Sequence, residues 1–206
     1  CLDSICTQST QPSEIIIMKD GELNFNLVQL SAKYKTMNIV IIDNEFNLGL
    51  PNSLNKGLSF CKNDIVFRMD TDDICIRDRF KIQLKKFVSN KNLAVLGTNV
   101  TLINDDSIEI VKNRKVPLMD KTIRSMMPYK NPFNHPSVVF RKSFVEMVGG
   151  YSNIYLYEDW FLWFKLSKLE NVEFENLDQK LLKYRIRTFN DRKGLKIIKA
   201  EYNFYL

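Results

Sequence analysis

Short apolar runs of strand length alternate with amphipathic helical segments through the first half of this chain. The strand-like runs are rich in isoleucine, valine and leucine, and the segments between them carry apolar residues at helical spacing. This alternation predicts an α/β fold, with a mainly parallel twisted sheet and helices on both faces. The predicted strands are Glu14–Met18, Asn38–Ile42, Asp64–Met69 and Leu93–Ile103. The predicted helices are Asn26–Tyr34, a segment that begins at Pro51, and Arg79–Val88.

The second half of the chain is less regular, and most of its predicted elements are short. No repeat, linker or low-complexity tract interrupts it, so we predict a single domain over residues 1–206. A basic, polar tail follows Arg185. The predicted elements are helices at Lys121–Met127, Ser143–Val148 and Glu158–Leu169, a loop at Pro132–Pro136 and a strand at Val138–Phe140.

The net charge is +6, from 30 Lys and Arg residues against 24 Asp and Glu residues. This excess suits anionic partners such as nucleotides, diphosphate lipids or an acidic membrane face. A solvated lysine-rich surface explains it equally well. No recognised nucleic-acid-binding motif is present, so we predict no nucleic-acid partner.

The four cysteines form neither a CxxC pair nor a zinc-spaced cluster with the one histidine. A reduced, cytoplasmic protein is therefore expected. No apolar run is long enough to span a bilayer, so membrane association is expected to be peripheral, on the cytoplasmic face of the inner membrane. The opening segment Cys1–Gln8 reads as the middle of a helix, and we expect an N-terminal piece, with a further strand, to be absent from this sequence.

Three carboxylates follow the predicted strand Asp64–Met69 within four residues: Asp70, Asp72 and Asp73. Carboxylates this close repel one another, and a hard divalent cation with oxygen ligands compensates for the repulsion. The pattern therefore favours a Mn²⁺ or Mg²⁺ site that shares its cation with a substrate diphosphate. The alternative is a polar turn before the next helix, with Asp73 or Asp78 as the N-cap.

An ordered set of motifs resembles the family 2 glycosyltransferases of the GT-A fold. Within that family, the sequence is most similar to enzymes that build bacterial O-antigen or exopolysaccharide, including the amylovoran type. The set covers nearly the whole chain in the family's order, although each motif alone is weak evidence. The motifs are Cys1–Ser9, Glu14–Gly21, Asn47–Leu58, Arg68–Asp73, Asn134–Arg141, Gly149–Tyr151 and Glu158–Trp160.

The resemblance implies that residues 1–110 bind a nucleotide-diphosphate sugar, with UDP as the expected nucleotide. It gives Asp20 a contact with the base, Asp70 a contact with the ribose or diphosphate, and Asp72 the divalent metal that bridges the phosphates. Asp72 also counts among the donor-binding residues. The other donor-binding residues that it implies are Asn47, Gly49, Asn55 and Arg68.

Residues 111–206 correspond in the family to the acceptor half and the C-terminal tail, with a glycan or lipid-linked acceptor. The resemblance implies that Asp159 is the catalytic base of an inverting transfer and that Glu158 orients the acceptor. His135 is placed near the acceptor, although a lone histidine is more often structural. Trp160 either stacks on an acceptor sugar or packs in the core. Arg185 and Arg187 either grip phosphate or belong to a solvated tail.

The chain departs from the family at three places. The family begins with a buried strand and a nucleotide-contacting loop that this sequence lacks. Lys19 stands where the family often has an aspartate, and Arg187 stands where many members have a metal-binding histidine.

Two other functions fit parts of the pattern. A sugar nucleotidyltransferase also uses carboxylates and Mg²⁺ beside a parallel sheet, but it needs a glycine-rich basic loop that this sequence does not show. A non-catalytic nucleotide-sugar or glycan-binding module is the second alternative, and the presence of both Asp72 and Asp159 argues against it.

Overall fold

The computed structural model describes residues 1–22, 32–110, 115–154 and 156–186. The helices are α1 (Leu2–Cys6), α2 (Leu50–Phe60), α3 (Arg79–Ser89), α4 (Asp120–Met126), α5 (Lys142–Met147) and α6 (Glu158–Leu166). The strands are β1 (Ile15–Lys19), β2 (Ile39–Asp43), β3 (Ile65–Phe67), β4 (Ile74–Cys75), β5 (Leu93–Ile103), β6 (Val139–Arg141) and β7 (Glu173–Arg185). A 3₁₀ turn covers His135–Ser137.

The described strands form a parallel β1–β2 ladder and a five-stranded sheet in the order β3-β6-β5-β7-β4. In the larger sheet the long β5–β7 ladder is parallel, and the three shorter ladders are antiparallel. The predicted α/β class is confirmed, and the sheet itself is mixed. Among the described strands, β1 pairs only with β2, and β3 pairs only with β6.

Helices cover both faces of the larger sheet because successive strand residues point to opposite sides. On β5, Val95 belongs to a core cluster with Trp163 of α6, while Leu96 packs in a second cluster with Phe87 of α3. Leu58 of α2 also belongs to the first cluster, so residues from both predicted halves share one core. The division into a donor half and an acceptor half stays a prediction.

Most predicted elements are confirmed to within a few residues, with two omissions. Strands β4 and β7 were not predicted. Strand β7 was missed because its pattern is irregular. Its register against β5 shifts twice near Asn99, and the exposed residues Asp178–Lys180 interrupt its buried positions. The predicted helix Asn26–Tyr34 lies mostly outside the described residues, and the predicted helix Glu158–Leu169 ends at Leu166.

Gly97 allows β5 and β7 to approach closely. A Cβ at this position would lie 2.1 Å from Asn176 Oδ1 and 2.9 Å from a ring carbon of Phe133, and both of those side chains are buried. The backbone around Gly97 must therefore move if a methyl group is added.

We expect Gly97→Ala to lower the free energy of unfolding by about 1–3 kcal/mol, because the added methyl overpacks the core. Urea denaturation measures this change. Gly57→Ala is the matched control: its methyl meets only the flexible end of Met18, at 3.1 Å, and alanine favours the helix. A Gly97→Ala protein as stable as the control would contradict the packing described here.

Candidate active site

Asp20 organises the loop beyond the carboxyl ends of β1 and β2. Its Oδ1 accepts hydrogen bonds from Asn44 Nδ2 at 2.9 Å and from the Leu48 backbone N–H at 2.7 Å. Burial opposes the charge of this carboxylate, but these hydrogen bonds outweigh it, and the pKa of Asp20 is lowered. Asn44 is buried and links this carboxylate to Ser53 and Lys56 of α2.

Asn47 and Gly49 lie in the same loop, as the sequence predicts. Asn47 Nδ2 donates to the Asp20 carbonyl at 3.4 Å, and Asn47 Oδ1 accepts from the Gly49 N–H at 3.0 Å. Gly49 has φ +78°, a conformation that glycine adopts without strain, and α2 begins at the next residue. An open cavity of about 520 Å³ borders this loop, and Lys19, Phe46 and Asn47 are among its lining residues.

Asn55 connects α2 to the second half of the chain. Its Oδ1 accepts from the Tyr151 N–H at 2.7 Å, and its Nδ2 donates to the Tyr151 carbonyl at 2.8 Å. In the structure, Asn55 therefore ties α2 to the backbone of Tyr151. Its predicted contact with the sugar donor stays a prediction.

Arg68 is buried at the end of β3 and binds Asp70 through two parallel hydrogen bonds. Arg68 Nη1 donates to Asp70 Oδ2 at 2.8 Å, and Arg68 Nη2 lies 2.7 Å from Asp70 Oδ1. Burial disfavours the charge of Arg68, yet nearby Asp70, Tyr151 and Asp159 outweigh burial and raise its pKa. The Nε of Arg68 is buried without a hydrogen-bond partner among the described residues.

A second buried arginine fixes the backbone of this segment. Arg79 of α3 donates from Nη2 to the Arg68 carbonyl at 2.9 Å and from Nε to Gln83 Oε1 at 2.9 Å. Gln83 in turn donates to the carbonyls of Leu96 and Ser137. This network anchors the end of β3 to the middle of the sheet.

Asp73 is fully buried beside Asp70 and Asp72. Burial, together with the charges of those two residues, raises the pKa of Asp73 to about 7. Its Oδ1 accepts from the Arg185 N–H at 2.9 Å, and its Oδ2 has no hydrogen-bond partner among the described residues. The segment therefore offers a buried acceptor oxygen in addition to the carboxylate of Asp72. Its oxygen donors suit a hard divalent cation, with half-buried Asp72 as the expected ligand.

Arg185 holds this acidic segment against the turn at residues 104–107. Its guanidinium donates to the carbonyls of Asp72, Asn104 and Asp105, and to Ser107 Oγ. These contacts favour a structural role, and the predicted phosphate contact of Arg185 stays a prediction. Arg187 lies outside the described residues.

Glu158 and Asp159 begin α6 and are both buried. Asn131 Nδ2 donates to Asp159 Oδ2 at 2.7 Å. Burial and then the charge of Asp159 raise the pKa of Glu158 to about 7, with Asp70 adding to the effect. The charges of Asp70 and Arg68 therefore reach this acid pair, so the end of β3 and the start of α6 belong to one site.

His135 lies beside the same acids, and its predicted place near the acceptor stays a prediction. Burial and then the charge of Arg68 lower its pKa well below the usual value, so the imidazole is neutral near pH 7. Its Nε2 is 3.0 Å from the Tyr151 hydroxyl, while its Nδ1 is 3.9 Å from Asp159 Oδ2, which is too long for a hydrogen bond.

His135, Glu158 and Asp159 offer ligand atoms within 4.8 Å of one another, which is a spacing that could hold a metal ion. The sequence predicts the metal at Asp72 instead, and that assignment stays a prediction. Trp160 is buried in the first core cluster and donates from Nε1 to the Met127 carbonyl at 2.7 Å. This environment favours core packing of Trp160.

The sequence family described as "Glycosyl transferase family 2" matches residues 1–148 of this chain. The amylovoran biosynthesis glycosyltransferase AmsE of Erwinia amylovora is 35% identical over 208 residues, which cover 100% of this chain and 77% of AmsE. An Escherichia coli protein, UDP-Gal:alpha-D-GlcNAc-diphosphoundecaprenol beta-1,3-galactosyltransferase, is 36% identical, covering 99% of this chain and 76% of that protein.

Solved structures of Staphylococcus aureus TarS share this fold. The TarS crystal structure superposes with a TM-score of 0.68 at 17% identity, covering 90% of this chain and 33% of TarS. The structure of TarS 1–349 in complex with UDP gives a TM-score of 0.67 at 18% identity, covering 90% of this chain and 55% of that one.

The fold and the sequence relatives together define a glycosyltransferase with the GT-A fold. This chain belongs to glycosyl transferase family 2. That membership decides against the nucleotidyltransferase and the non-catalytic binding module.

Several residues of the site were not predicted from the sequence. Asn44 and Asn131 were not singled out, and Tyr151 was noted only within the Gly149–Tyr151 motif, because Asn and Tyr in loops give no local signal of what they contact. The one sequence signal for Asn131 is its position in the N-P-F-N-H-P run. Asn131 stands four residues before His135, which was itself a candidate site residue.

We expect wild-type stability to fall as pH rises from about 4.5 to about 7, because folding raises the pKa of Glu158 and its proton is lost over that range. Glu158→Gln removes this titration. The variant should gain stability over wild type at pH 8, by about 3 kcal/mol at most, and match it below pH 4.5. Chemical denaturation at several pH values measures the difference, and Glu170→Gln on the exposed surface serves as the control. A pH-independent difference would contradict the buried, raised titration of Glu158.

Proposed function

We propose that this protein transfers a hexose from a UDP-sugar to a hydroxyl group of a lipid-linked diphosphate-sugar acceptor, in the synthesis of a bacterial surface polysaccharide. The names of two relatives support the substrate class: one is named for amylovoran synthesis, and the other for transfer from UDP-Gal to GlcNAc-diphosphoundecaprenol. A UDP complex of a protein with the same fold supports a UDP donor.

One observation carries the proposal. The buried Arg68 guanidinium binds Asp70 of the acidic segment after β3, and it also interacts electrostatically with Asp159 of the acid pair that begins α6. A transferase needs this juxtaposition, because the leaving diphosphate and the attacking hydroxyl must be held on opposite sides of one carbon atom.

Each side of the site has a distinct chemical task. Asp72 would hold Mn²⁺ or Mg²⁺, which when bound offsets the negative charge that develops on the leaving diphosphate. Asp159 accepts the proton of the acceptor hydroxyl as that hydroxyl attacks the anomeric carbon. The reaction is then a single displacement, in which one C–O bond forms, the bond to UDP breaks, and the anomeric configuration inverts.

Glu158 and His135 complete the acceptor side of the proposed site. Glu158 has a pKa of about 7, so it is partly protonated near neutral pH and can donate a hydrogen bond to an acceptor sugar. Neutral His135 can act as a hydrogen-bond donor or acceptor without adding charge beside the base.

Asp159→Asn should lower the rate of transfer by at least about a hundredfold, because the amide cannot accept the proton. Suitable substrates are UDP-galactose, with other UDP-hexoses in parallel, and a synthetic GlcNAc-α-diphosphate lipid. UDP release and product mass measure transfer, and calorimetry measures UDP affinity, which should not change. Asp78→Asn, at the exposed N-cap of α3, is the control. Full turnover by Asp159→Asn would refute the assignment of the base.

Asp72→Asn should raise the Mn²⁺ concentration needed for half-maximal activity by at least about tenfold, because a ligand carboxylate becomes a weaker amide donor. Wild-type activity should disappear with EDTA and return with Mn²⁺. Asp106→Asn, in the exposed turn before Ile108, is the control. An unchanged Mn²⁺ dependence in Asp72→Asn would place the metal elsewhere.

Peripheral contact with an acidic membrane fits the net charge of +6 and a lipid-linked acceptor. Among the described residues, no helix is long and apolar enough to cross a membrane. Co-sedimentation with vesicles that contain anionic lipid, at low and high salt, tests this contact.

A further inference from the structure

We propose that Asn131 is a positioning residue that orients the carboxylate of Asp159 for proton transfer. This inference rests on the proposed role of Asp159 as the base. Asn131 lies in the loop between α4 and the 3₁₀ turn, and its Nδ2 is 2.7 Å from Asp159 Oδ2. None of the family motifs in the sequence includes it.

The orientation of the Asn131 amide is determined by its second hydrogen bond. Its Oδ1 accepts from the Phe133 N–H at 3.1 Å. A flipped amide would bring an NH₂ group towards this backbone N–H, so two donors would face each other. The NH₂ group must therefore face Asp159. The amide cannot flip to present its oxygen there, so Asn131 always donates a hydrogen bond to the carboxylate.

The loop that carries Asn131 is anchored at each of the three residues that follow it. The fully buried ring of Phe133 packs against Trp163, with ring centroids 5.5 Å apart. Asn176 Nδ2 donates to the Pro132 carbonyl at 3.0 Å, and Asn134 Nδ2 donates to the Thr98 carbonyl at 2.9 Å. The residues that follow Asn131 are thus fixed to the sheet and to the core.

A charged acceptor makes this hydrogen bond stronger than one between neutral groups. Among the described residues, Glu158, His135, Tyr151 and Arg68 also lie near Asp159, and they provide charge or bulk around it. Asn131 holds the Asp159 carboxylate through its Oδ2 atom. A base held in this way does not need to reorient when the acceptor binds. A misplaced base would lower the rate of transfer.

Asn131→Asp is the sharpest test because it keeps the shape of the side chain and its contact with the Phe133 N–H. It replaces the donor with a carboxylate oxygen close to Asp159 Oδ2, so the two acids must share a proton at neutral pH. We expect kcat to fall at least about tenfold with the KM for UDP-galactose unchanged. We also expect the acidic limb of the pH–rate profile to move to higher pH. Asn131→Ala, which adds no charge, should lower kcat without moving the KM.

Asn90 offers a matched control outside the site. Its Oδ1 accepts from the Asn92 N–H at 3.0 Å, and its Nδ2 donates to Glu173 Oε2 at 2.8 Å, which repeats the bonding of Asn131. Asn90→Asp should therefore reproduce any general effect on folding and leave kcat and the pH–rate profile unchanged. Thermal unfolding of all three variants separates stability from catalysis.

The outcomes distinguish this inference from the function on which it rests. If Asp159→Asn is inactive while Asn131→Asp and Asn131→Ala retain wild-type kcat and pH profile, Asn131 does not position the base and the transferase proposal stands. If both Asn131 variants lose kcat only in proportion to a loss of folded protein, the inference is also wrong. Turnover by Asp159→Asn would instead remove the base assignment itself.

Discussion

The buried guanidinium of Arg68 joins the two parts of this site. It binds Asp70 through two hydrogen bonds, and its charge acts on His135, Glu158 and Asp159, which come from the second half of the chain. Carboxylates brought together from the end of β3 and the start of α6 would repel one another without a nearby cation. Arg68 supplies this cation, and Arg79 fixes the Arg68 backbone through its carbonyl.

A second set of contacts connects the same two parts through hydrogen bonds. The side-chain amide of Asn55, on α2, binds both backbone polar groups of Tyr151, whose hydroxyl lies 3.0 Å from His135. Gly150 has φ +68°, and a Cβ there would clash with Asn55 Oδ1, so the glycine is required for this approach. The helix beyond the Asp20 loop is thereby fixed relative to the acid pair.

The sequence was a good guide to the elements and to the acids, and a poor guide to their partners. Periodicity predicted β5 with its observed bounds. It did not predict β7, because charged residues and two register shifts hide the alternation. Arg68 was expected among the donor-binding residues, but its pairing with Asp70 and its closeness to Asp159 depend on tertiary structure. The same holds for Asn55 and Asn131, whose partners lie 96 and 28 residues further along the chain.

A crystal structure with UDP and Mn²⁺, with the metal located by its anomalous scattering, tests the central claim most directly. We expect Mn²⁺ to be bound by Asp72 and by both phosphates of UDP, with Asp159 across the pocket and still hydrogen-bonded to Asn131. Mn²⁺ bound instead among His135, Glu158 and Asp159, or UDP bound away from Asp70 and Asp72, would contradict it.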